Sequence, residues 1–82
     1  MELKDLTDEQ LIDLAYMRAK HKETSFSGTI TDIVIKDKKS KYFNGASFII
    51  KSKEYDDYLL GVSFDMFYIN EISYLIKIGV KF

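Results

Sequence analysis

The feature that most constrains this chain is a change of period. Up to about residue 20 the apolar side chains recur every three or four positions; from Phe26 onward they recur every second one. The first pattern marks a helix with one buried face and the second a half-buried strand, so the chain must combine the two. The helix is well bounded. Thr7 is a good N-cap with Gln10 three residues on, and Leu6 and Leu11 are placed to close over the first turn as an apolar staple. Asp8 and Glu9 sit in that turn, while Arg18, Lys20, His21 and Lys22 crowd the far end, both favourable to the helix dipole. Leu11, Leu14, Ala15 and Arg18 share one face, broadened by Ile12, Tyr16 and Ala19. The spacing predicts a helix over about 8–20, too short to be stable alone, so its stripe must dock on something.

That something is expected to be β. Phe26, Gly28 and Ile30 alternate, then the phase slips to Ile33 and Ile35, which is how a β-bulge looks in sequence. Residues 37–40 read as a polar hairpin tip, and the chain returns through 42–52 with Ala46, Phe48 and Ile50 on one face. A turn at 53–57 leads into 58–65, where Tyr58, Leu60, Val62 and Phe64 alternate. Residues 66–71 read as a short irregular segment. Ile72, Tyr74, Ile76, Ile78, Val80 and Phe82 then predict a long final strand. The expected fold is α+β: an N-terminal helix followed, over about 25–82, by a strongly bent four- or five-stranded antiparallel sheet or small open barrel.

At 82 residues this is one domain, since two cores rarely fit below about 100–150 residues. Apolar residues make up 46% and charged ones 30%, which excludes wholesale disorder. Without cysteine there is neither a disulfide nor a thiolate metal site. No apolar run approaches the ~20 residues that cross a bilayer. The first residues carry neither a basic nor an apolar signal region, so the expected location is cytoplasmic, with no membrane partner.

Charge is segregated. Residues 1–19 and 54–82 are acidic, and 20–53 are basic with eight lysines, beneath an overall net charge of −1. Such a dipolar surface can steer a partner but lacks the broad basic field of most nucleic-acid binders. Ile, Lys, Tyr, Phe and Asn together supply 35 of the 82 residues, while Pro and Trp are absent. Those are the residues of AT-rich codons, and they imply a low-GC bacterium or one of its phages or other mobile elements.

Phe26-Ser-Gly28-Thr-Ile30-Thr-Asp-Ile33 resembles the opening strand of small Src-homology-3-like and Sm-like barrels, and Ile69-Asn-Glu-Ile72-Ser-Tyr-Leu75 resembles their closing segment. Bacterial YolD-like proteins share the glycine-threonine-isoleucine opening. The resemblance spans about residues 7–80 and implies a small barrel; it carries no function, because such folds host many.

Enzymatic chemistry is poorly supplied. His21, the one histidine, lies between two lysines at the helix end, where a solvated role is the expectation. None of the seven serines sits in a nucleophile-elbow string, and no glycine-rich phosphate loop occurs. Glu54, Asp56 and Asp57 cluster in one turn but lack the loop spacing of a calcium site, so no catalytic residue, metal or cofactor is expected. Two binding surfaces stand out. Lys36, Lys38, Lys39 and Lys41 decorate one hairpin beside aromatics, the composition of a single-strand nucleic-acid face, although lysines there also guard strand edges. The twelve Phe and Tyr exceed what a core this size can bury, which makes Tyr42, Phe43, Tyr55 and Tyr68 candidate anchors for a protein partner. The expectation is a non-enzymatic binding module, an inhibitor or regulator of a host system acting through protein contact, with nucleic-acid binding as the alternative. The open edge of the expected final strand further implies pairing with a second copy.

Overall fold

The computed structural model describes residues 1–24, 26–39 and 44–82. A single 3-10 turn, Leu3–Asp5, precedes helix α1, Asp8–Lys20. Strands β1 (Ile30–Asp37), β2 (Gly45–Ser52) and β3 (Tyr58–Ser63) form an antiparallel sheet in the order β1-β2-β3, followed by helix α2, Ile69–Lys77.

Helix α1 starts as its sequence demands. The Gln10 N–H donates to Thr7 Oγ1 at 3.2 Å, and the Thr7 N–H donates to Gln10 Oε1 at 3.0 Å, satisfying two groups that the first turn would leave unpaired. Leu6 and Leu11 are both buried beside that cap. Leu14, Ala15 and Ala19 lie wholly inside, the alanines letting the helix approach the sheet closely. The Phe26 N–H reaches the Ala19 carbonyl at 2.8 Å, which turns the chain back from the helix toward β1.

On the sheet, Ile33, Ala46, Phe48, Ile50, Leu60 and Val62 face inward and meet α1 and Leu75 in one apolar core. The slip in apolar phase falls where β1 shifts register against β2, between Ile30 and Asp32; a second shift lies between Ile35 and Asp37. Between β2 and β3 the register runs unbroken from Gly45↔Ser63 to Ile50↔Tyr58. The outward face presents a short apolar row, Val34↔Ile49↔Leu59.

The end of the chain differs from expectation. Residues 69–77 are helical, so the final strand does not form, the β region ends at Ser63, and among the described residues the sheet has three strands where four or five were expected. Among the described residues it is an open sheet, with β1 and β3 at its two edges, where a strongly bent sheet or small open barrel was expected. Alternation over 72–82 is also compatible with a helix, because nearly every position in 72–76 is apolar and either period finds a buried face. Capping decides between them. Glu71 at the third helical position accepts the Tyr68 N–H at 2.8 Å. At the other end Gly79 adopts φ 101°, its N–H meets the Ile76 carbonyl at 3.0 Å, and the Val80 N–H meets Leu75 at 2.9 Å. A left-handed glycine with this bond pair is a helix terminator, and Val80 and Leu75 bury against the core beside it.

Candidate functional site

The most elaborate side-chain arrangement joins the two helices. Arg18 projects from the last turn of α1 and Glu71 from the first turn of α2. The guanidinium donates Nε–H to Glu71 Oε2 and Nη2–H to Oε1, both at 2.7 Å, a bidentate pair around a carboxylate that is 0% exposed. Nη2 also donates to the Met66 carbonyl at 3.2 Å, and the guanidinium carbon lies 4.8 Å from the centre of the Tyr68 ring. His21 stacks on Tyr68 with ring centres 3.6 Å apart and planes 7° from parallel. The Tyr68 hydroxyl donates to Glu23 Oε2 at 3.0 Å, which raises the phenol above its ordinary range, and the Glu23 N–H donates to His21 Nδ1 at 3.2 Å. Further along, the Tyr74 hydroxyl donates to Asp13 Oδ2 at 3.1 Å; burial first, and that carboxylate second, raise the Tyr74 phenol as well.

The chemistry of this cluster is that of a clasp. Nδ1 of His21 is already occupied by an N–H, Glu71 is held by three donors, and the two hydroxyls of the cluster, on Tyr68 and Tyr74, are engaged by the carboxylates of Glu23 and Asp13. Among the described residues no buried side-chain polar atom lacks a partner, so none is held in reserve for a substrate.

The residues singled out from sequence do not converge. Tyr68 belongs to the clasp. Tyr55 is not part of it: it is 56% exposed, its ring edge-on to Phe26 at 6.0 Å and its hydroxyl 3.3 Å from Ser27 Oγ. Tyr42 and Phe43, with Lys41, lie outside the described residues. Of the remaining lysines, Lys36 and Lys39 are exposed, whereas Lys38 Nζ is held 2.6 Å from Asp8 Oδ1. Lys38 and Lys39 border a cleft of about 990 Å³ floored by Leu3, Leu6, Leu11 and Phe64. The acidic turn is engaged internally: Glu54 Oε2 accepts the Thr29 N–H at 2.7 Å, which holds its carboxyl below the usual range, and Asp57 pairs with Lys51 at 3.2 Å. Among the described residues no group of His, Asp and Glu is arranged to hold a metal ion.

What sequence reasoning missed is the outward face of α2. Ile69, Ile72, Ser73 and Ile76 fall at helical spacing on one side; Ile69 is 84% exposed, Ile76 59%, and Met66 just before the helix 70%. Phe82, also exposed, packs its ring against Phe67 at 6.2 Å. Among the described residues no helix is long and apolar enough to cross a membrane. Comparison with known proteins finds no family model, curated protein or solved structure that matches this chain.

Proposed function

We propose that this chain is a small non-enzymatic binding module that docks a protein partner through the outward face of α2. The observation that carries this reading is the alignment of Ile69 and Ile76, two of the most exposed large apolar side chains, one helical heptad apart and continued by Met66. Single exposed apolar residues are ordinary, but a row on one face of an amphipathic helix is the form that inserts into a partner's groove. Lys77 and Lys81 flank the far end of the row, so the fitting groove is apolar with an acidic rim there. Tyr55 is a second contact; Tyr68 acts by supporting Arg18 and Glu71 from inside. The AT-rich codon residues fit a product of a phage or other mobile element of a low-GC bacterium, occupying a surface of a host system as inhibitor or regulator.

Ile69→Glu combined with Ile76→Glu is the test, because both side chains are exposed and the fold should tolerate the change. Wild type is expected to retain a stoichiometric protein from source lysate that the variant loses, at unchanged melting temperature. Equal retention by both proteins rejects the α2 face. A salt-sensitive shift of single-stranded DNA or RNA, lost on Lys36→Glu with Lys39→Glu, transfers the function to the β1–β2 hairpin instead.

A further inference from the structure

The two edges of the sheet are built differently. β1 contains Asp32, Lys36 and Asp37 and breaks register at both ends. Charges and bulges of that kind are what sheets use to keep an edge from pairing. β3 has no such protection: Tyr58-Leu-Leu-Gly-Val-Ser63 holds no charge and no proline, and it pairs with β2 without a register shift. Among the described residues, no backbone or side-chain group hydrogen-bonds to the side of β3 that faces away from β2. A straight, uncharged edge with unpaired N–H and C=O groups is a template for another strand.

We propose that β3 pairs antiparallel with β3 of a second copy, about a two-fold axis at Leu60, joining two sheets into one. Self-complementarity selects this occupant and this register. A two-fold antiparallel pair must set same-face residues opposite each other, so the axis passes through a residue of the strand. With the axis at Leu60, Tyr58 stands opposite Val62 of the second copy on the core side, where Val62 is already covered by its own chain. On the outward side, Leu59, 58% exposed, meets Gly61, whose missing side chain leaves room for it. Symmetry makes that fit twice. Moving the axis to Gly61 sets Asp57 opposite Asp65 of the second copy, two like charges on facing strands, whereas the Leu60 register sets Asp57 opposite Ser63. The pairing also closes: each copy spends its β3 edge, and the β1 edges left outside carry the charges and bulges. One strand pair buries less than the area typical of permanent dimers, so the association is concentration-dependent in the micromolar to millimolar range.

Light scattering across that range is expected to show the mass rising from 9.6 kDa toward twice that value. Leu59→Lys, at an exposed outward position, is expected to hold the mass at 9.6 kDa with its melting temperature unchanged. The Ile69→Glu, Ile76→Glu protein is expected to dimerise as wild type does, which separates this surface from the α2 face. Register is read by thiols, the native chain having none. Leu59→Cys mixed with Gly61→Cys is expected to give the mixed disulfide in excess over either homodisulfide. A monomer at every concentration overturns the proposal, even if that monomer binds extended peptides of other proteins. A dimer indifferent to Leu59→Lys, or a statistical mixture of disulfides, overturns it too.

Discussion

Removing the carboxylate of Glu71 is the sharpest perturbation that the structure offers. Glu71→Met deletes the acceptor of two guanidinium N–H groups and of the Tyr68 backbone N–H, all at 2.7–2.8 Å and shielded from water. The Arg18 side chain is 12% exposed, so it cannot recover by turning to solvent without leaving its place under Tyr68. Breaking a buried pair from one side costs about 3–5 kcal/mol, because an uncompensated charge stays behind. A chain of this length has roughly 4–12 kcal/mol in all, so the single variant should be close to unfolding at room temperature. Arg18→Met strands the carboxylate instead and should cost as much. The double variant replaces both ions with apolar side chains of similar size and should stand at or above wild type, since the desolvation of two charges offsets most of what their attraction contributes. Urea denaturation of the four proteins reads the cycle. Two single effects that simply add in the double variant, or a Glu71→Met within about 0.5 kcal/mol of wild type, would refute the claim that the pair is desolvated and coupled.

Gly79→Ala should cost about 1–2 kcal/mol although an added Cβ meets nothing within 4 Å, because φ 101° strains any L side chain; a neutral result in urea would mean that the α2 terminator relaxes freely. Thr7→Ala should cost about 1 kcal/mol through the lost cap, and Leu14→Ala about 2–5 kcal/mol through a core cavity; if both are neutral, α1 is a loose arm. Tyr74 and Tyr68 hold their phenolic protons more tightly folded than unfolded, so the stability they contribute is complete below the ordinary pKa of 10.0 and is lost as pH rises through the raised values. The melting-temperature gap between wild type and Tyr74→Phe should therefore shrink above pH 10, and a constant gap would discount the Asp13 hydrogen bond as its source.

The sequence disclosed α1 over about 8–20, since a capping box, a staple and a one-sided stripe all agreed on it. It disclosed three strands too, because alternation there had no competing period. It misled over 72–82, because the nearly continuous apolar run at its start, 72–76, let two periods fit equally well. The deciding marks were punctuation: Glu71 near the start, Lys77 in the last turn, and a glycine at 79 placed as a terminator. The clasp was half visible. Arg18 was placed on the apolar face of α1, but a charge pattern names no partner 53 residues away, and Glu71 can be matched to it only once α2 is known to be a helix. The α2 face went unseen for the same reason: read as strand, Ile72 and Ile76 belong to the core side, and read as helix Ile76 points out.

The clasp also separates the chain in time. The strands meet their neighbours across short connections, whereas the ties between α1 and α2 close loops of 45 to 61 residues, through Glu23–Tyr68, Arg18–Glu71 and Asp13–Tyr74. Long loops lose entropy before their contacts return anything, so the meander and α1 are expected to organise first and α2 to dock after the rate-limiting barrier. Interactions made after that barrier leave the folding rate alone and slow the reverse step. Weakening the clasp should therefore steepen nothing in the refolding arm of a chevron and lift the unfolding arm alone. The ion pair between the two helices then acts as a brake on opening, setting how long a folded molecule lasts more than how readily it forms.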